Sequence, residues 1–401
     1  MSAGTTLLCG ATDFTLSKPE LLARQSFKWR QYPAGVIAAC VADMDFRIAP
    51  EIQAVIRHGV EIFDYGYPLR EGSKADRVVA AAFAARMKTV CGWDVDAGQV
   101  LALADLVQAT CATILAFSDP GDGVIVQVPN YPPFREAIEV TGRRLISLEM
   151  ERTADSYVFD LDKLESTIDE CTRIFFLCNP QNPTGRAFTR AELESVAAFA
   201  EKHDLIVVSD EIHSDLIYLG TWHLPFAALS PKAAARTVIF NSATKSFNIP
   251  GLRCAVACFG TEALMQRFHT RIPARLTGSV NSIGIDATVV AWTKGQPWLN
   301  SVLEHLLAMR NYVTETLRHE IPGIRFHAPE ATYLLWLDCT DLDLEGSAFN
   351  FFLEHARIGF GAGEAFHPNA TKFVRMNFAT SKSILDEMLD RMITAVRSHR
   401  R

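Results

Sequence analysis

Five short apolar runs constrain this chain more than any other feature. They are VIVQVP (124–129), RIFFLC (173–178), LIVVSD (205–210), TVIFNS (237–242) and CAVACF (254–259). Together they are rich in β-branched residues, and each is nearly continuous in its hydrophobicity. Such runs read as strands buried on both faces of a largely parallel sheet. Between two of them lies TRAELESVAAFAEKHD (189–204). Thr189 followed by Glu192 has the capping-box pattern, and Leu193, Val196, Ala197 and Ala200 share one apolar face. That βαβ rhythm belongs to an α/β domain.

After about residue 285 the pattern changes. PWLNSVLEHLLAMRNYVTETLRHEIP (297–322) predicts a long amphipathic helix, TYLLWLDC (332–339) and FVRMNF (373–378) predict strands, and a last helix starts near Ser383. This mixture reads as a smaller α+β domain. The expected division is an N-terminal arm (1–48) packing with the small domain, a large domain (49–285) and the small domain (286–401). Pro50 fits the first turn of a helix, and Ser73 with Asp76 fits the start of another. A length of 401 residues suits two or three domains.

Composition excludes several classes. At 49% hydrophobic and 21% charged, the chain can bury a core and is not a disordered segment. A net charge of -7 lacks the electrostatic footprint of a general nucleic-acid binder. No apolar run approaches the roughly 20 residues of a membrane span. The first residues, MSAGTTLLCGATDF, lack a basic segment before an apolar one, so no secretory signal is expected. Nine cysteines, Cys9 among them, are loosely spaced without a C-x-x-C. That pattern favours neither a disulfide framework nor a zinc ribbon, and a reducing, cytoplasmic setting is expected. In surroundings such as IFFLCNP and CAVACFG a cysteine acts as a small buried hydrophobe.

The sharpest chemical feature is SATKSFNIPGLR (242–253), which follows a predicted strand. A buried lysine is costly unless a site uses it, and a desolvated lysine has a depressed pKa and can form a Schiff base. Ser242 and Arg253 would supply donors to a phosphate. Taken alone, the segment also reads as a surface loop with ordinary charges. Two other strand ends bear on that choice: LIVVSDEIH (205–213) brings Asp210 and His213, and NPQNPTG (179–185) brings Asn182. In open parallel sheets ligands bind beyond the carboxyl ends of the strands. A carboxylate, an amide and an amine converging there suit a pyridinium nitrogen, a phenolate oxygen and an aldehyde, the reactive features of pyridoxal 5'-phosphate (PLP).

KW (28–29), VADMDF (41–46), GYP (66–68), PNYPPF (129–134), CNPQNPTGR (178–186), SDEIHSDLIY (209–218), SATKSFNIPGLR (242–253), TYLLWLD (332–338) and FVRMNFATS (373–381) appear in this order. With them the chain resembles, from about Arg24 to its C-terminus, the fold-type I PLP-dependent enzymes of the class I/II aminotransferase group. It is most similar to the MalY/PatB branch of cystathionine β-lyases, or C–S lyases. The resemblance implies the PLP-dependent transferase-like (aspartate aminotransferase) fold, α/β with a mostly parallel sheet. It implies Lys245 as the lysine bound to the cofactor aldehyde, Asp210 at the pyridine nitrogen, Asn182 at the ring hydroxyl with His213 beside it, and Tyr131 stacked on the ring. Ser242 and Arg253 are implied at the phosphate, with Tyr67 reaching the phosphate of the neighbouring subunit of a homodimer. Arg375 is implied as the clamp on the substrate α-carboxylate. In LALADLVQAT (101–110) the backbone of Leu106 and Val107 would face the phosphate. Asp105 is unfavourable beside a dianion unless it caps the helix with its carboxylate turned onto backbone amides.

The implied reaction is β-elimination from an L-cysteine thioether such as cystathionine, giving a thiol, pyruvate and ammonia. An aminotransferase would need the same lysine, aspartate and arginine. A third reading is a PLP-binding regulatory protein without turnover, although no stretch is left for a DNA-binding domain. Side-chain specificity is expected from loops near Asp43–Phe46, Tyr333 and Gly359–His367. No metal site is expected: in DEIHSD (210–215) a strand period puts Asp210, Ile212 and Ser214 on one face and Glu211 with His213 on the other, and the PLP assignment explains the segment better. GFGAGE (359–364) lacks the last glycine of a dinucleotide fingerprint and reads as a turn.

Overall fold

The computed structural model describes residues 14–399, so Cys9 and the first part of the expected arm lie outside the described residues. In chain order the strands are β1 (Ile37–Ala39), β2 (Leu69–Arg70), β3 (Ser73–Lys74), β4 (Val100–Leu103), β5 (Gly123–Val128), β6 (Arg144–Arg152), β7 (Tyr157–Phe159), β8 (Thr172–Cys178), β9 (Ile206–Asp210), β10 (Thr237–Asn241), β11 (Ala255–Phe259), β12 (Leu334–Asp338), β13 (Ile358–Ala362) and β14 (Phe373–Asn377). The five apolar runs are β5, β8, β9, β10 and β11.

The large sheet has the order β4-β11-β10-β9-β8-β5-β6-β7. Its central strands are parallel, while β11 and β7 run against them; β4 pairs antiparallel with β11 and so runs with the central strands. Side-chain alternation divides the core. Val126, Ile174, Phe176 and Val208 pack with Ala112 and Phe117 of helix Leu106–Phe117 on one face. Ile125, Phe175, Leu177 and Val207 pack with Leu193, Val196 and Phe199 of helix Arg190–Lys202 on the other. Both faces are therefore covered, as continuous apolar strands require. The Thr189–Glu192 capping box forms as expected.

Chain order reverses around β5. The chain leaves it toward β6 through helix Pro132–Val140, then returns to β8 on its other side. A reversal of this kind opens a crevice at the carboxyl ends of the strands.

The smaller sheet has the order β1-β13-β14-β12, so the arm contributes an edge strand, β1, parallel to β13. Helix Gln296–Glu320 packs beside it with Val302, Leu306, Val313 and Leu317 inward. Two expectations shift. Ser73 is taken up in the two-residue ladder with Arg70, so the following helix starts at Ala75. Residues 282–294 form one helix, which packs on helices Pro50–Glu61 and Ala75–Cys91 and runs across residue 285. The described cysteines are all free, and Cys40, Cys178, Cys254, Cys258 and Cys339 are buried. Among the described residues no helix is long and apolar enough to cross a membrane.

Candidate active site

The carboxyl ends of β4, β5, β8, β9 and β10 meet in one cleft. β9 stops at Asp210, whose Oδ1 accepts the Ile212 N–H at 3.1 Å, leaving Oδ2 for a ligand. Burial pushes this carboxyl up to about 6. β10 stops at Asn241, and the next residue, Ser242, caps a single helical turn, Ala243–Ser246. Its Oγ accepts the Thr244 N–H at 3.1 Å and donates to the Cys254 carbonyl at 2.6 Å. That turn aims Lys245 into the cleft, where Nζ donates to the Ala42 carbonyl at 2.8 Å. Burial lowers the Lys245 ammonium to about 8. The penalty for holding a charge away from water dominates there.

The other wall comes from the small domain. Arg375, on β14, donates from Nη1 to Asn182 Oδ1 at 2.9 Å and from Nη2 to the Cys40 carbonyl at 2.6 Å. Its guanidinium sits 4.6 Å from the centre of the Phe366 ring. Arg375 Nε is buried without a hydrogen-bond partner among the described residues, and so is His213 Nδ1. Burial, reinforced by the charges of Lys245 and Arg375, lowers His213 to about 3, so its ring stays neutral. Asn182 spends Oδ1 on Arg375 and keeps Nδ2 as the donor on offer.

Lys245, Asp210, His213, Asn182, Tyr131, Ser242, Arg253, Leu106 and Val107 all line this cleft. Arg375 joins it through Asn182. Tyr67 does not: it is fully exposed, beside exposed Ile62, Phe63, Tyr65 and Leu69. Asp105 caps helix Leu106–Phe117 through the Gln108 N–H at 2.9 Å, as the sequence required, and also pairs with Arg253. Sequence reasoning missed Thr244, whose side chain also lines the cleft, and the Ala42 carbonyl. Thr244 had a usable signal, a hydroxyl just before the lysine at a strand-to-helix turn. A backbone carbonyl has none.

The donors sort by position. The helix N-terminus at Leu106 and Val107 offers backbone N–H groups, and Ser242, Thr244 and Arg253 are on the same side, a set suited to an anion. Asp210 suits a protonated ring nitrogen, and Lys245 suits an electrophilic carbon between these ends. Tyr131 covers the mouth with its ring edge-to-face on Phe134. A flat cofactor with a dianion, a ring nitrogen and an aldehyde fits these groups, and the unpartnered His213 Nδ1 and Arg375 Nε are polar atoms that a bound ligand would engage.

The family model described as aminotransferase class I and II matches residues 70–392. Cystathionine beta-lyase PatB of Bacillus subtilis (strain 168) is 30% identical, over 94% of this chain and 98% of that protein. Among solved structures, OvoB superposes with a TM-score of 0.90 at 32% identity, covering 97% of this chain and 100% of that one. A PLP-bound C-S lyase from Staphylococcus hominis superposes with a TM-score of 0.87 at 26% identity, covering 96% of this chain and 98% of that one.

Proposed function

The chain belongs to the class I and II aminotransferase family, and on that premise we propose that it is a PLP-dependent carbon–sulfur lyase. Its substrates are L-cysteine thioethers of the cystathionine kind, and its products are a thiol, pyruvate and ammonia. The observation that carries this reading is the convergence of Lys245, Asp210 and Asn182 in one cleft, with Arg375 bonded to Asn182 at its edge. The named relatives, a cystathionine beta-lyase and a C-S lyase, favour elimination over transamination.

When bound, PLP supplies an electrophilic aldehyde and a ring that accepts electron density from the substrate α-carbon. The chain's own residues do the rest. Leu106, Val107, Ser242, Thr244 and Arg253 would hold the phosphate, and Tyr131 would cover the ring. Asp210 keeps a proton on the ring nitrogen. Asn182 would donate to the ring oxygen, with neutral His213 alongside. Arg375 turns its remaining N–H groups to the substrate α-carboxylate and fixes the α-carbon beside Lys245. The Lys245 amine, held near 8 by burial, is part neutral at physiological pH and takes the α-proton at Nζ. The leaving group is a thiolate.

The same reading makes the enzyme a cytoplasmic homodimer. The free cysteines support the compartment, and the exposed apolar run around Tyr67 supports a neighbouring subunit there. The division into arm, large domain and small domain belongs to it too, with β1 joining the arm to the small sheet.

Purified holoenzyme given cystathionine without any keto acid tests the reaction. Equimolar thiol and pyruvate are expected. Formation of a new amino acid only after a keto acid is added would make it a transaminase.

A further inference from the structure

Two sequence motifs, Lys28–Trp29 and Val41–Phe46, have no part in the chemistry above, and the fold joins them. Lys28 Nζ donates to Asp45 Oδ1 at 3.0 Å and to the Asp43 carbonyl at 3.2 Å. Trp29 Nε1 donates to the same Asp45 Oδ1 at 2.7 Å. The Lys28 and Asp45 side chains are 2% and 3% exposed. A buried ion pair is weak evidence for net stability, because desolvation offsets its attraction, but it fixes geometry.

What it fixes is a stretch of backbone held from several sides. Asn377 Nδ2 donates to the Val41 and Asp43 carbonyls, both at 2.6 Å. Asn248 accepts the Met44 N–H at 2.9 Å and donates to the Met44 and Phe46 carbonyls at 2.9 and 3.0 Å. Arg375 takes the Cys40 carbonyl. In the middle of this lock the Ala42 carbonyl faces the cleft. It accepts from Lys245 Nζ at 2.8 Å and from Tyr333 Oη at 3.0 Å.

We propose that Lys28 is a positioning residue for Lys245. With Trp29 and Asp45 it holds residues 41–46 so that the Ala42 carbonyl receives the Lys245 amine whenever the cofactor releases it. A fixed acceptor keeps Nζ at one place beside the substrate α-carbon, where a small displacement is costly in rate. This rests on the reading of Lys245 as the cofactor lysine.

The test uses the holoenzyme and two ligands that differ in one amine. L-Alanine offers a carboxylate and an amine that frees Lys245, and has no leaving group at its β-carbon. Propionate offers the carboxylate alone and leaves Lys245 attached. In Lys28→Met the alanine Kd, read from the visible spectrum, should rise about five- to tenfold, the worth of one hydrogen bond, while the propionate Kd stays within about twofold. Tyr333→Phe keeps the ring and leaves the Ala42 oxygen to Lys245 alone. It should tighten alanine by about two- to threefold and leave propionate unmoved. Equal weakening of both ligands in Lys28→Met, or no change in either, overturns the proposal. If Lys28→Met does not fold, unchanged or weaker alanine binding in Tyr333→Phe overturns it. A cofactor attached to a lysine other than Lys245 in the wild type would instead overturn the site reading beneath it.

Discussion

Two lysines bond to the segment around Ala42, Lys28 fully buried and Lys245 half-buried at the cleft, and their proton affinities diverge. Lys245 ends in a cleft with a neutral carbonyl as its hydrogen-bond acceptor, and burial lowers it to about 8. Burial presses Lys28 down as well, but Asp45 and Asp43 more than offset it and hold that ammonium above the ordinary lysine range. The same side chain is made a base in one place and a permanent cation in the other. The difference lies in what stands beside it: Lys28 is hydrogen-bonded directly to Asp45, whereas Lys245 has only a carbonyl in contact, and the pull of Asp43 and Asp210 on it is opposed by Arg375 and outweighed by burial. Chemistry is drawn from the first lysine and geometry from the second.

Replacing each lysine should break the comparison in different ways. Lys245→Ala should lower turnover by about 10²–10⁴-fold and abolish the visible absorbance of lysine-bound cofactor while the melting temperature stays near that of the wild type. Retained turnover would contradict the role given to Lys245. Lys28→Met should do the reverse to stability. Asp45 and Asp43 lose their cation in a buried place, and chemical denaturation should show a loss of about 3–5 kcal/mol. Adding Asp45→Asn should recover part of that loss. An unchanged unfolding midpoint in the single variant would mean that the pair is not sealed as described.

Protons at Asp210 sharpen the contrast. Its buried carboxyl, pushed up to about 6, takes a proton below that pH in the cofactor-free protein. A protonated ring nitrogen needs the ionised form, so binding must expel that proton. Cofactor affinity should therefore fall as pH drops below about 6, by up to about tenfold per unit for one proton. In Asp210→Asn the affinity is weaker throughout and this slope disappears. A slope that survives the substitution assigns the proton elsewhere. The smallest effect is expected at Tyr67. If a neighbouring subunit's Tyr67 hydroxyl reaches the phosphate, Tyr67→Phe removes one donor and should weaken cofactor retention by about 1–2 kcal/mol in an equilibrium release assay. Unchanged retention would argue against a site shared between subunits.

Much of the strand-end wall was legible in the sequence because consecutive parallel strands bring their ends to one edge. Asp210, Asn182 and Lys245 announce themselves as polar residues just past apolar runs. The opposing wall was not legible in the same way. Lys28, Trp29, Asp45 and Asn377 stood in recognisable motifs, yet nothing in the sequence shows that Lys28 and Trp29 converge on the Asp45 carboxylate or that Asn377 reaches the distant Val41 and Asp43 carbonyls, and the Ala42 carbonyl has no side-chain signature. Ser73 misled for a related reason. Its capping capacity was real, but a two-residue ladder with Arg70 used its backbone first. The start of helix Ser282–Lys294 before residue 285 was hidden because its buried face, Ile285, Thr288 and Trp292, is not set apart from the apolar stretches around it.

The division of labour between the two lysines can be tested in one experiment. Holoenzyme is reduced with borohydride, which fixes a cofactor–lysine bond irreversibly, and the labelled peptide is identified by mass spectrometry. The account predicts the label on Lys245 alone, with Lys28 unmodified. A label on Lys28, or a protein that takes up no label while turning over cystathionine, would contradict it.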